Sequence, residues 1–278
     1  MGRRLQELIG LLDLEEIDTQ LYRAQHPQGR EHRLYGGQIM AQALMAASRT
    51  VAGAAVPQPV HSLHGYFLRP GDPRVPTVIQ VERLRDGRSF CTRRVVVLQQ
   101  GEAIFNMDAS FQVAEAGFQH QFEMPNSRPP APQNLPAHLL EDAFISWRED
   151  YRRLVSSTPQ PPYQHVWFRA NGKVPADPVL QACLLVYESD GALLGTARLP
   201  HRGRYDPQQM QSASLDHAIW FHHPVDVSGW LLYVLDAPSS AGGCSYNRGS
   251  VYTADGLLVA STAQEGLMRL HRTPSRSR

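Results

Sequence analysis

Ser214 and Gln264 are polar at positions where an earlier copy of the same segment is apolar. Ser214-Leu-Asp-His-Ala-Ile-Trp-Phe-His-His-Pro224 repeats a segment that includes His61-Ser-Leu-His-Gly-Tyr-Phe-Leu-Arg-Pro70. Phe67 aligns with Phe221 and Pro70 with Pro224, a constant offset of 154 that sets Val60 against Ser214. Further on, Arg93…Gly101…Ala109 reappears as Arg248…Gly256…Gln264 at an offset of 155, which sets Ala109 against Gln264. A hydroxyl and a carboxamide each donate and accept hydrogen bonds, so the pair is suited to holding a polar reactant. A duplicated chain with one polar copy implies a single working site.

Strand alternation puts Gln264 on one face with Leu258, Ala260 and Thr262. If that face turns inward, the buried amide must find partners. Other polar residues are weaker candidates. Asp216 and His217 are adjacent in a strand, so they point to opposite faces and do not form a dyad. His222, His223, His61 and His64 lack the cysteines or carboxylates of a metal site and read as surface or structural residues. Arg69, Arg88, Arg93 and Arg94 suit phosphate geometry but read equally well as exposed charges on a sheet. There is no Gly-x-Ser-x-Gly turn of an α/β-hydrolase. Neither of two candidate central helices, Gly36–Ser48 and Pro178–Ser189, contains a histidine, which weighs against a dehydratase that works with a His and an acidic partner on such a helix.

Those central helices are the elements that must position the site. Gly36-Gly37-Gln-Ile-Met-Ala-Gln-Ala-Leu-Met-Ala-Ala-Ser48 is small and apolar nearly all round, the mark of a helix buried on every side. Pro178–Ser189 has the same character. Strand-like runs follow the first at 59–68, 76–84, 89–99 and 102–112, with a hairpin turn at Gln99-Gln-Gly-Glu102. Around the second they lie at 165–170, 212–223, 229–236, 242–253 and 257–269, with a turn at Asp255-Gly256. Prolines cluster at 129–136 and 159–162, and the charged stretch Ala137–Ser156 between them favours helix. These features predict a first repeat over 1–115, a proline-rich linker with its own helix over 116–163, and a second repeat over 164–278. A buried helix followed by an antiparallel meander, twice, implies an α+β fold whose two sheets join edge to edge.

Composition narrows the function. Of 278 residues, 42% are hydrophobic and 19% charged, and 27 Lys and Arg nearly balance 26 Asp and Glu. No strong field draws such a chain to nucleic acid or an anionic membrane. The N-terminal Met1–Leu12 reads as an amphipathic helix rather than a signal peptide, and no apolar run reaches the ~18 residues of a membrane span. Cys91, Cys183 and Cys244 are too scattered for a disulfide framework. The polar tail Thr273–Arg278 has no peroxisomal ending. A cytoplasmic protein is expected.

Longer stretches carry a resemblance. Tyr35-Gly-Gly-Gln38, His61–Asp72, Leu84–Phe90, Ser214–His223, Trp230-Leu-Leu-Tyr233 and Leu258–Gly266 together resemble the type II acyl-CoA thioesterases, a double hotdog family. The resemblance spans nearly the whole chain. It implies hydrolysis of fatty acyl-CoA to a free fatty acid and CoA, without cofactor or metal, by a homo-oligomer (dimer or tetramer). Carried over by motif, the family's catalytic Asp, Thr or Ser, and Gln fall on Asp190, Ser214 and Gln264. Position 214 holds Ser rather than Thr, which keeps the hydroxyl. In this reading Asp190 accepts a proton from a water that Ser214 and Gln264 hold, and burial at a helix end would raise its basicity. Gly36 and Gly37 would let a thioester approach backbone N–H donors, with Tyr35 beside them. Met40, Met45, Phe67 and Trp220 are possible pocket residues. The alternative is a non-catalytic acyl-CoA-binding or sensing protein.

Overall fold

The computed structural model describes residues 2–27, 33–53 and 56–271; the polar tail at Thr273–Arg278 lies outside them. Helix α1 (Arg3–Leu11) buries Leu5 and Leu8, one turn apart on the apolar face that the sequence pattern requires. Strands β1 (Glu15–Asp18) and β2 (Leu21–Ala24) follow. The acidic run at 13–18 carries no strand pattern, and pairing with β2 rather than propensity extends it.

Helix α2 (Gly36–Arg49) takes the expected span. Ala41, Ala43, Ala46 and Ala47 are buried along with Ile39, Met40 and Leu44, so the helix has almost no solvent face. Strands β3 (Val60–Phe67), β4 (Thr77–Asp86), β5 (Phe90–Gln99) and β6 (Glu102–Gln112) curl around it. The β5–β6 turn has φ of 51° at Gln100 and 84° at Gly101. Two positive angles are what a tight hairpin of this hand demands.

The stretch between the halves departs from expectation. Ala137–Glu141 is a 3-10 turn, strand β7 spans Phe144–Arg148, and the helix shrinks to α3 (Tyr151–Val155). Strand β7 pairs with β8 (Tyr163–Ala170), from Phe144 opposite Ala170 to Arg148 opposite Val166. Phe144 and Ile145 are buried by this pairing. Burial of an aromatic and β-branched run outweighs the charged, helix-favouring sequence around it.

Helix α4 (Pro178–Ser189) again takes the expected span. Asp177 caps it by accepting the Val179 N–H at 2.9 Å, with Pro178 at its first position. A short helix α5 (Leu193–Arg198) comes next. One strand was expected over 212–223. Two are found, β9 (Met210–Ser214) and β10 (Asp216–Phe221), kinked at Leu215. Strands β11 (Leu231–Ala241), β12 (Cys244–Thr253) and β13 (Leu258–Leu270) complete the chain, and both β9 and β10 pair with β13.

Among the described residues all 13 strands belong to one sheet. From the centre outward the order is β3-β6-β5-β4-β2-β1 in the first half and β10-β13-β12-β11-β8-β7 in the second. The halves join through the antiparallel pair β3–β10, which removes two exposed edges. His64 and Ala218, equivalent residues 154 positions apart, face each other there. A pseudo-two-fold axis therefore passes between them. This is the double hotdog that the resemblance implies, one helix wrapped by each half of a continuous sheet. Among the described helices none is long and apolar enough to cross a membrane.

Candidate active site

The two buried helices lie side by side and antiparallel, with the start of α2 against the end of α4, and that junction makes the site. A Cβ on Gly37 would stand 2.3 Å from the Tyr187 carbonyl oxygen, and one on Gly36 would stand 2.8 Å from Asp190 Oδ2. Only glycine permits this approach of the α2 N-terminus to the C-terminus of α4. Asp190 is the C-cap of α4, and the Gly37 N–H donates to its Oδ2 at 3.0 Å. The positive end of α2 thus faces a carboxylate, the sign that a helix dipole favours.

The other carboxylate oxygen gathers the remaining candidates. Ser214 Oγ donates to Asp190 Oδ1 at 3.0 Å and Gln264 Nε2 donates to the same atom at 2.6 Å. Asp190 and Gln264 are buried and Ser214 is half-buried. Ser214 and Gln264, 24 and 74 positions from Asp190 in the chain, therefore converge on one carboxylate oxygen. The kink at Leu215 helps deliver Ser214: Leu215 donates to the Glu265 carbonyl and accepts from Phe67 N–H, both at 2.9 Å. Gln264 Oε1 is buried with no hydrogen-bond partner. An acceptor left so costs about 1–3 kcal/mol until something donates to it.

His217, set aside on sequence grounds, belongs to this network. Its neighbour Asp216 does point the other way, to His64 at 2.9 Å. His217 itself is fully buried, with Nδ1 3.1 Å from Gln264 Nε2 and Nε2 3.0 Å from Ser189 Oγ. Burial lowers its pKa, against the opposing pull of Asp190 and Asp216. The signal that could have found it was the repeat: at an offset of 154, His217 answers to Leu63.

Tyr35 packs edge-on against Tyr187 with ring centroids 4.9 Å apart, and its hydroxyl donates to the Tyr187 carbonyl at 2.8 Å. Burial, with the Asp190 charge added, raises its pKa well above the usual phenol value. Glu188, two residues before Asp190, has its carboxyl raised to about 7, chiefly by burial. Its Oε1 accepts from Ser146 Oγ at 2.5 Å. Phe67 lies against Gly36. Met40 is core, Met45 lies at the far end of α2 beside the start of α4, and Trp220 is exposed on the outer face of the sheet. These three do not join the site.

The first half shows what the same positions hold without the polar set. Ala109 faces Leu63 and Arg93, and Val60 faces Phe111. In the second half Gln264 faces Asn247, and Ser214 faces Gly266. By this register the inward counterpart of Arg93 is Asn247, not Arg248. Arg93 is 1% exposed, which removes it from any role on external phosphates. Its guanidinium instead donates to Thr50 Oγ1 at 2.7 Å and Asp86 Oδ1 at 2.5 Å. Thr50 caps α2 as Asp190 caps α4, so the first-half site is filled by a buried cation. Arg69 and Arg94 are half-exposed and paired with Glu102 and Asp108. Among the described residues no three metal-ligating side chains come together.

Comparison with known proteins agrees with this architecture. A family model described as acyl-CoA thioesterase matches residues 143–267, and one described as acyl-CoA thioesterase N-terminal domain matches residues 24–112. Acyl-CoA thioesterase 2 of Haemophilus influenzae is 37% identical over 97% of this chain and 99% of its own. Acyl-coenzyme A thioesterase 8 of Mus musculus is 39% identical over 96% of this chain and 90% of its own. Among solved structures, an acyl-CoA thioesterase II from Mycobacterium marinum superposes with a TM-score of 0.81 at 43% identity, covering 95% of this chain and 98% of that one.

Proposed function

Because the chain belongs to the acyl-CoA thioesterase family and is a thioester hydrolase, we propose that it cleaves fatty acyl-CoA with Asp190, Ser214 and Gln264 as its catalytic residues. The observation that most supports this reading is the meeting of Ser214 Oγ and Gln264 Nε2 on Asp190 Oδ1, at 3.0 and 2.6 Å. Hydrolysis needs an attacking water, a group to take its proton and donors facing the oxygen that gathers charge. The water oxygen attacks the thioester carbonyl carbon as Asp190 takes one proton. Ser214 orients the water, and Gln264 Oε1, otherwise unpartnered, accepts its second hydrogen. Collapse of the tetrahedral adduct breaks the C–S bond. The proton passes from Asp190 to the leaving sulfur, giving a carboxylic acid and the CoA thiol. Every step moves protons and heavy-atom bonds only, so the reading requires no redox group or metal.

The oxyanion donor is assigned to the start of α2. The Gly37 amide is committed to Asp190, and the Gln38 and Ile39 amides turn back to the Tyr35 carbonyl at 3.2 Å. The Gly36 amide, in the positive field of the helix end, is the donor that these contacts leave for a carbonyl oxygen. Gly37 contributes by having no side chain, and Tyr35 forms a wall. Release of free thiol from butyryl-, decanoyl- and palmitoyl-CoA tests the activity. No release above background with any of the three would overturn it.

The chain is further read as a cytoplasmic dimer or tetramer. Tyr66 and Trp220, exposed on the outer face of β3 and β10, support assembly. A single monomeric species in sedimentation would contradict the oligomer, and recovery in a membrane or secreted fraction would contradict the location.

A further inference from the structure

We propose that His217 is a positioning residue for the reaction, fixing which way the Gln264 amide faces. The proposal rests on the reading of Gln264 as catalytic.

Proton counting fixes the roles of these groups. The single Ser189 hydroxyl hydrogen goes to the Val186 carbonyl at 2.9 Å. Toward His217, Ser189 Oγ is therefore an acceptor, and the ring nitrogen facing it at 3.0 Å, Nε2, carries the imidazole hydrogen. Nδ1 is then a bare acceptor. It faces Gln264 Nε2 at 3.1 Å. The amide has two N–H bonds, and they go to His217 Nδ1 and to Asp190 Oδ1. Turning the amide over would set its oxygen against two acceptors at once. His217 thus supplies one of the two contacts that keep Gln264 Oε1 free for a reactant.

The same ring holds the other side of the site. Ser189 immediately precedes Asp190, and its carbonyl also accepts from the Tyr233 hydroxyl at 3.0 Å. His217 on β10 therefore links β13 to the last turn of α4. The first half serves as an internal control. There the amide is replaced by Ala109, and the residue facing it is Leu63. Histidine stands in the half that has the amide to orient, and leucine in the half that has none.

The test uses the full chain and compares steady-state thiol release from decanoyl-CoA for His217→Leu, His217→Asn, Gln264→Ala and the double variant H217L/Q264A. Leucine already sits at the equivalent place in this fold, so His217→Leu is expected to fold, with thermal unfolding as the check. Its kcat is expected to fall roughly tenfold to hundredfold, as for a misplaced catalytic group, with KM unchanged. Asparagine keeps an acceptor near the Nδ1 position, and His217→Asn is expected to regain most of that loss. Once Gln264 is Ala, adding His217→Leu is expected to lower kcat by less than about twofold, because coupled residues are not additive.

Full turnover in His217→Leu, no difference between Leu and Asn, or multiplicative losses in the double variant would each overturn the proposal. Near-normal kcat in Gln264→Ala would overturn the catalytic reading of Gln264 and the proposal with it. A deficient Gln264→Ala beside an active His217→Leu removes only the proposal. If the leucine variant does not fold, His217→Val against His217→Asn carries the same contrast.

Discussion

The Gly37 amide and the Asp190 carboxylate are bonded at 3.0 Å, from the first turn of one buried helix to the C-cap of the other. The two residues belong to different repeats. The half that lacks the polar set thus holds the carboxylate of the half that has it. The first repeat is more than a scaffold, because it fixes one oxygen of Asp190 and leaves the other to Ser214 and Gln264.

Gly37→Ala tests that junction. A methyl group would fall 2.3 Å from the Tyr187 carbonyl, which belongs to the backbone and cannot swing aside. The helices must separate and carry Asp190 with them. Turnover is expected to fall by roughly a hundredfold, together with a lower unfolding midpoint. Unchanged kcat would mean the junction has slack.

Ser214 is held to a hydroxyl rather than to a particular side chain. Ser214→Thr is expected to keep kcat within about threefold, and Ser214→Ala to lose at least about tenfold, the lower range for a lost contact to a reacting group. Steady-state rates on decanoyl-CoA separate the two. Equal rates in the three chains would remove Ser214 from the mechanism.

Arg93 makes an opposite forecast. It fills the first-half site and never meets substrate, so Arg93→Met is expected to leave kcat within about twofold while reducing stability by up to ~3–5 kcal/mol. Its partner Asp86 is half-exposed and can be solvated when freed, which pulls the effect toward the low end. Denaturant unfolding reads the loss. A large fall in kcat with unchanged stability would contradict the assignment.

Glu188 gives a pH dependence with a definite sign. Burial raises its carboxyl from 4.5 to about 7 in the folded chain. The folded state therefore binds the proton more tightly than the unfolded state between these values. The stability this contributes is complete below the unfolded pKa and is lost as pH rises through about 7. Glu188→Gln is expected to remove that loss, so thermal midpoints of the two chains should diverge between pH 5 and pH 8. Parallel curves across the range would show that the carboxyl does not titrate there.

Much of this was legible in residue patterns. Both buried helices were readable because small and apolar residues run around their whole circumference, and the sheet strands because the repeat doubled each signal. Ser214 and Gln264 stood out against Val60 and Ala109. Asp190 came from the resemblance alone, since a helix-ending Asp-Gly is common for ordinary reasons. Alternation sends Asp216 and His217 to opposite faces, as the sequence predicts, yet His217 belongs to the site. The partner it has, an amide on the neighbouring strand, is set by the β10–β13 register, which no local pattern states. Phe144–Arg148 failed as helix for a similar reason, since its strand exists only through pairing with β8.

In the proposed reaction Asp190 takes the proton of the attacking water. Thiol release from decanoyl-CoA by Asp190→Asn, beside the unsubstituted chain and with matching unfolding curves, tests it most directly. Asparagine keeps the shape and can still accept from Gly37 but cannot take a proton. A loss of roughly a hundredfold or more in kcat, the usual scale for a general base, is the expected result. An Asp190→Asn chain that turns over at near the original rate would contradict the account.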